Sequence, residues 1–443
     1  MTAPLRIAMC VGCFPVVSET FILRQIAGLL DLGHQVAIFA DLRGDAAGAD
    51  QPEVAQYGLL DRATFMDMPE EAAPWELPVW PLTGRAWVPG GGQPRRNAAL
   101  AARALPRAVR CLLARPRLTV GVLSPAEYGF QAASLSGLYR LSVLRRQPRN
   151  YDVIHAHFGS NGNSYRFARE LWRAPFVVSF HGYDFCTLPR RQGAGMYRRL
   201  FATADAVTVN SEFTRGRVVA LGCPEDKLHR LPVGLDLRAF PFRERSRRDD
   251  EPARLLTVAR LVEIKGHEEM LRCIARLREV HPGLRYDIVG EGPLRPKLER
   301  LITELRLHHT VTLHGARGSR FVRRLLRDAH LAVLASVSIE GDAEGQGLFL
   351  QEAQACGLPV VATRHGALPE GLQEGRSGFL VPERNVDALT DRLNHLLTHP
   401  ELWPVMGRAG RLFVEERYDI TKLNAQLVEL YRAARTSYRN RSS

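Results

Sequence analysis

Apolar positions follow two rhythms along the chain. Short β-rich runs alternate with longer segments whose apolar residues recur every three or four positions, the pattern of a parallel sheet flanked by helices. The first half predicts a strand over 6–13, a helix over 18–32 and a strand over 35–40. After an irregular stretch the alternation resumes with strands over 152–158, 176–182 and 206–211, and a helix over 163–173. The second half is more regular, with strands predicted over 255–261, 286–289, 311–315, 331–336, 360–364 and 378–381. Two amphipathic helices, 402–416 and 421–435, follow the last strand and are free to cross back onto the first half. Arg243, Arg245, Arg247, Arg248, Asp249, Asp250, Glu251 and Pro252 make 235–252 polar, a linker signature.

These elements predict an α/β protein of two doubly wound, Rossmann-like domains. The first occupies 1–234, with a basic, Pro/Gly-rich insertion over about 43–150, and the second 253–416; residues 417–443 form a closing helix and basic tail. No repeat relates the halves. Ligands of such sheets bind beyond the carboxyl ends of the strands, so a cleft between two facing domains is the expected site.

Composition narrows the class. Of 443 residues, 45% are hydrophobic and 24% charged, which excludes a disordered chain or a fibre. Seven cysteines are too few for a disulfide scaffold and fit a reducing compartment. The first apolar run, 7–17, is interrupted by Pro15 and lacks a basic flank, so it reads as a strand rather than a signal peptide. No run reaches the roughly 20 apolar residues of a membrane span. The expectation is a cytoplasmic protein, peripheral at most on the inner face of the plasma membrane.

Sixty basic residues against 47 acidic ones give +13. Between Arg85 and Arg149 stand 12 arginines and one acid, Glu127. Within that segment, 97–114 reads as a helix with Arg96, Arg103, Arg107 and Arg110 on one stripe. Ala98, Ala101, Leu105, Val109 and Leu112 fall on the other side. The plainer and favoured reading packs the apolar side on its own domain; the other lays the helix on an anionic bilayer. Pro106 should kink it.

Glu344 and Glu352 lie eight positions apart, about 12 Å along a helix. That helix is predicted to begin near Gly347, so the amides of Gly345, Gln346 and Gly347 sit at its N-terminus, where an anion is favoured. Arg260, near a strand end, and Lys265, opening the next helix, are cations able to stabilise a leaving diphosphate in place of a metal. For each feature, ordinary surface residues remain the alternative. His155 and His157 share one side of a strand and His181 ends the next, but no further ligand with metal spacing accompanies them. Cys10 and Cys13 lack a partner pair and read as packing.

The stretches 258–266 (Val-Ala-Arg-Leu-Val-Glu-Ile-Lys-Gly), 289–293 (Val-Gly-Glu-Gly-Pro), 344–363 and 375–382 together resemble the retaining, nucleotide-sugar-dependent glycosyltransferases of the GT-B fold, family 4. Residues 14–24, 155–159 and 179–184 are similar to its exopolysaccharide and colanic-acid branch. The resemblance implies a metal-independent hexosyltransferase with no cofactor beyond its nucleotide-sugar donor, a UDP-sugar before a GDP-sugar. Arg260 and Lys265 would hold the diphosphate, Glu352 the ribose hydroxyls, and Glu344 with the following amides the sugar hydroxyls. His181 and Glu344 are the implied catalytic pair, and His181 would approach the donor sugar from the first domain. Gly12, Ser18, Glu19 and His157 fall on the implied acceptor side. The anomeric configuration would be retained by same-face attack, with the leaving phosphate drawing the acceptor's proton. The expected acceptor is a lipid-linked oligosaccharide; the alternatives are a soluble transferase making a small glycoside, and a polyanion binder. No nucleic acid is expected as a partner, because the charge sits in one segment without interleaved aromatics.

Overall fold

The computed structural model describes residues 3–16, 19–66, 68, 94–248 and 251–442. The chain divides into two compact units: residues 1–209, 217–229 and 424–443, and residues 210–216 and 230–423.

The first unit is built on seven strands: β1 (Arg6–Phe14), β2 (Gln35–Arg43), β3 (Ala63–Phe65), β4 (Val153–His157), β5 (Phe176–Ser179), β6 (Ala206–Val209) and β7 (Leu228–Arg230). Their order is β3-β2-β1-β4-β5-β6-β7, with parallel registers from β3 through β6. Ile7 to Val11 are fully buried, as a strand covered by helices on both faces must be. Cys10 and Cys13 are free thiols there, and burial pushes Cys13 up to about 12.

From Pro94 onward the insertion folds into helices, among them α2 (Pro94–Ala114), α3 (Pro116–Val122) and α4 (Ser136–Leu144), after α1 (Thr20–Asp31). It is tied to the sheet by a buried ion pair: Arg140 donates through two nitrogens to the two oxygens of Asp41, each at 2.8 Å, and Tyr165 donates to Asp41 at 2.7 Å. Both charged side chains are excluded from solvent, so the bidentate geometry is what makes their burial tolerable.

Pro106, expected to kink the helix, lies inside the continuous Pro94–Ala114 element. One expectation for this region is corrected. The stripe of Leu105, Val109 and Leu112 does not pack on the domain; it is exposed, and α2 instead buries Ala104 and Cys111. Arg107 is drawn inward over the Tyr139 ring, 4.8 Å from its centroid. Arg103 and Arg110 are exposed, while the side chain of Arg96 lies outside the described residues.

The second unit carries six strands, β8 (Arg254–Val258), β9 (Arg285–Val289), β10 (Val311–Leu313), β11 (Leu331–Leu334), β12 (Val360–Thr363) and β13 (Gly378–Val381), all parallel in the order β10-β9-β8-β11-β12-β13. Apolar layers cover both faces, one around Leu271, Ile274 and Trp403, the other around Leu350, Phe349 and Phe413. The segment 235–252 is no free linker: Leu235, Phe240 and Arg245 are buried in this unit. Arg245 donates to the carbonyls of Leu326, Arg327, Ala329 and Cys356 at 2.5–3.0 Å. The last helix, Ile420–Ser442, joins the first unit from Asn424 on, where Arg435 meets Asp152 at 2.7 Å.

Candidate functional site

In the second unit the candidate residues gather beyond the carboxyl ends of β8 and β11. After β8 the chain turns at Arg260, and the His267 ring donates to the Arg260 carbonyl at 2.8 Å, fixing the loop. A 3-10 turn, Glu263–Lys265, then leads through Gly266 into the helix α7 (His267–Val280), numbered after α5 (Gly159–Tyr165) and α6 (Gly182–Phe185) of the first unit. Gly266 has φ +62°, and a Cβ there would lie 1.8 Å from the Ala335 carbonyl oxygen. Only glycine allows the turn to approach β11 so closely.

That approach sets Lys265 against Glu344. The ammonium donates to Glu344 Oε1, and the Ser336 hydroxyl donates to the same oxygen at 2.9 Å. Burial alone would raise the Glu344 pKa; the Lys265 charge and hydrogen bond, then Ser336 and His365, outweigh it and hold the carboxylate below its ordinary value. Arg260 is exposed, yet the protein around it lowers its pKa somewhat, while the Glu344 and Asp342 charges act in the opposite sense. The pair is thus a local charge balance, with Arg260 adjacent.

The helix α8 (Leu348–Ala355) starts where predicted, with Gly347 in the left-handed region at φ +74° as its N-cap. Leu368 would meet a Cβ at that position at 2.4 Å. Among the described residues, the amides of Gly345, Gln346 and Gly347 meet no protein acceptor. The Gln346 side chain is committed elsewhere, exchanging hydrogen bonds of 2.8 and 2.9 Å with the Val233 backbone, so only its amide is available to a ligand. Glu352 is half-buried one turn before the end of α8.

Sequence reasoning missed two residues behind this loop. Buried His365 accepts the Glu344 amide at Nε2, 3.1 Å, and its Nδ1 donates to Glu383 at 2.9 Å. Glu383 also accepts the amide and hydroxyl of Ser338. His365 stands two residues beyond the carboxyl end of β12, a position that could have flagged it, but nothing local marked Glu383.

In the first unit, β4 places His155 and His157 on one side, rings 4.6 Å apart, both buried. His155 is saturated by the Tyr431 hydroxyl at 2.5 Å and Ser179 at 2.7 Å. Gln25 accepts from His157 Nε2 at 2.8 Å, which leaves Nδ1 to accept from Nε2 of His181 at 3.2 Å. The His157 and His181 rings stack, and Phe21 and Phe158 flank His181. Burial keeps all three imidazoles neutral, His155 and His181 lowered to about 3 and His157 also well below its ordinary value.

Asp184 accepts the His181 amide at 2.9 Å, three residues on in α6, a capping-box spacing that could have flagged it. Burial raises Asp184 to about 7 despite several donors, and raises Glu19, the N-cap residue of α1, to about 7 with Asp184 contributing. Gly12 is buried on β1, and Ser18 lies outside the described residues. Among the described residues no group of three His, Cys, Asp or Glu side chains is placed to hold a metal ion.

Comparison with known proteins defines the class. Residues 18–234 match the "Glycosyl transferase 4-like domain" and residues 240–413 "Glycosyl transferases group 1". Over 424 residues the chain is 31% identical to a putative colanic acid biosynthesis glycosyltransferase of Salmonella typhimurium, covering 94% of this chain and 97% of the relative. An amylovoran biosynthesis glycosyltransferase of Erwinia amylovora is 29% identical over 425 residues, covering 94% and 97%. Among solved structures, Anabaena HepE in complex with UDP and glucose superposes with a TM-score of 0.67 at 16% identity, covering 97% of this chain and all of that one. Sucrose-phosphate synthase from Thermosynechococcus elongatus gives 0.65 at 19%, covering 98% and 100%. The chain belongs to the group 1 glycosyltransferases, and its two parallel-sheet, Rossmann-like domains are those of the GT-B fold.

Proposed function

We propose that this glycosyltransferase moves a hexose from a nucleotide sugar, a UDP-sugar before a GDP-sugar, to a lipid-linked oligosaccharide during exopolysaccharide synthesis. The observation that carries the donor reading is the pairing of Lys265 with Glu344 immediately before the open amides of Gly345 to Gly347, with Arg260 adjacent. Two cations and a helix N-terminus suit a diphosphate, and a carboxylate held ionised suits sugar hydroxyls. Relatives named for colanic acid and amylovoran support the pathway class, and the UDP found with HepE supports the base.

In the proposed reaction the bond from the anomeric carbon to the phosphate oxygen breaks as an acceptor hydroxyl attacks from the same face. The hydroxyl's proton passes to the leaving phosphate, and configuration is retained. Arg260, Lys265 and the amides neutralise the departing charge, a role otherwise given to a metal. Glu352 takes the ribose hydroxyls. His181 acts as a neutral hydrogen-bonding group toward the sugar, and Gly12, Ser18, Glu19 and His157 serve the acceptor.

The test is the thermal midpoint of the purified protein with UDP, GDP, ADP or TDP, each with and without EDTA. A ligand bound only by the folded state raises it. A rise with UDP that survives EDTA is expected. A rise with another base, or one abolished by EDTA, overturns that part of the reading. Product anomeric configuration by NMR then decides retention.

A further inference from the structure

We propose that the outward face of α2 and α3 carrying Leu105, Val109, Leu112, Leu113 and Val120 docks onto an anionic lipid bilayer. Among the described residues, eleven large hydrophobic side chains are exposed, and five of them lie between 105 and 120. They are well exposed rather than marginal: Leu105 64%, Val109 49%, Leu112 48%, Leu113 83% and Val120 62%. The first four sit at i, i+4, i+7 and i+8, one side of a helix. A monomeric surface rarely concentrates large aliphatic residues in this way without a partner.

The rim identifies the partner. Arg103 and Arg110 are exposed on the neighbouring stripe of α2, about 60–80° round the helix from Leu113. Arg117 in α3 is exposed as well, as are Arg146 and Arg149 after α4. Glu127, the one acid between Arg85 and Arg149, is already paired with Arg166 and Arg199, so it does not neutralise the rim. Arg107 is not part of the surface, since it covers Tyr139 and donates to the Arg103 carbonyl at 3.0 Å. The packed side of α2 is the small one, Ala104 and Cys111, which keeps the leucines turned away from the core.

Each other occupant meets only half of this surface. A free polyanion would pair with the arginines but leave the leucines in water. A second copy, meeting across a two-fold axis, would bury the leucines but press arginine against arginine. A bilayer with anionic headgroups offers an apolar interior beneath a negative surface, and interfacial helices combine these two residue sets for that reason. The proposal stands on the surface alone and is independent of the donor and acceptor assigned above.

The experiment is sedimentation of the full-length protein with vesicles of phosphatidylcholine alone or mixed equally with phosphatidylglycerol, at about 0.1 M salt, where the Debye length is about 10 Å. Binding to the anionic vesicles, weak on neutral ones, is expected. Leu105→Gln/Val109→Thr/Leu112→Gln/Leu113→Gln should lower the partition coefficient at least tenfold. Arg103→Gln/Arg110→Gln/Arg117→Gln should lower it similarly and weaken its salt dependence. All seven positions are solvent-exposed, so an unchanged thermal midpoint establishes that each variant is folded; a shifted one directs the test to the single substitutions Leu113→Gln and Arg110→Gln. No binding by the wild type, or equal binding by the folded leucine variant, overturns the proposal. So does a wild-type dimer that the leucine variant converts to monomer without any vesicle binding, which would make a second copy the occupant.

Discussion

The backbone amide of Glu344 donates to Nε2 of His365 at 3.1 Å, and the same ring passes its Nδ1 proton toward Glu383 at 2.9 Å. The carboxylate that pairs with Lys265 is therefore held at two points, through its side chain and through its backbone. Glu383→Ala removes the acceptor that fixes the His365 tautomer. It should raise the donor KM about tenfold with a smaller effect on kcat, because the loop is positioned less well while the charges remain. A parallel fall in kcat alone would contradict a positioning role.

Lys265 and Glu344 should behave as a coupled pair. Lys265→Ala leaves a largely buried carboxylate without its counter-charge, so its pKa should rise, and activity should fall at least 100-fold. In a double-mutant cycle, Lys265→Ala/Glu344→Gln should cost less than the sum of the single changes. Additive losses in transfer rate would separate the two residues.

The turn before α7 has no room for a side chain. Gly266→Ala places a methyl 1.8 Å from the Ala335 carbonyl oxygen at a positive φ. The expected loss is about 3 kcal/mol or more of stability, read by denaturant unfolding, together with weaker diphosphate binding. A change below about 1 kcal/mol would show that the turn can open.

The Asp41–Arg140 pair anchors the helical insertion. Asp41→Ala leaves the Arg140 guanidinium buried and uncompensated, at a cost of about 3–5 kcal/mol. Replacing both by apolar residues, Asp41→Leu/Arg140→Met, should cost less than Asp41→Ala alone. The unfolding midpoints of the two variants rank these outcomes.

Stability should decline as pH falls from 7 to 5. Burial lowers His155 and His181 to about 3 and His267 and His330 to about 4, and His157 is lowered as well. A histidine depressed in the folded state stabilises above its unfolded pKa of about 6.5 and loses that contribution on acidification, about 2 kcal/mol by pH 5 for each of His155, His181, His267 and His330, with His157 acting in the same direction. Glu19 and Asp184, raised to about 7, act in the opposite sense, gaining about 2 kcal/mol each over the same interval. Five groups outweigh two, so chemical denaturation should give a falling stability. A flat or rising profile would mean that the histidine cluster is not neutral.

Much of the second unit was legible in the sequence. Its strands are short apolar runs between helical segments, and the strand predicted over 378–381 is β13, Gly378–Val381. Gly347 punctuates the start of α8 because a positive φ is a property of that single position. The segment 235–252 misled because its charges suggest solvent. Arg245 is nevertheless buried, its charge met by four carbonyls contributed from residues 326–356. Composition records the charge and not its partners.

By itself the sequence determined the alternation of strand and helix, the two parallel sheets and the stretch from Glu344 to Glu352, since these depend on the periodicity and spacing of neighbours in the chain. Tertiary structure decided which side of α2 is buried, because a helical period gives two opposed faces and only the element packed opposite selects one. Here Ala104 and Cys111 face inward and the leucines outward. It also decided that Lys265 meets Glu344 across 79 positions and that Glu383 stands behind His365. Such pairs rest on distance in space, and no local pattern encodes it.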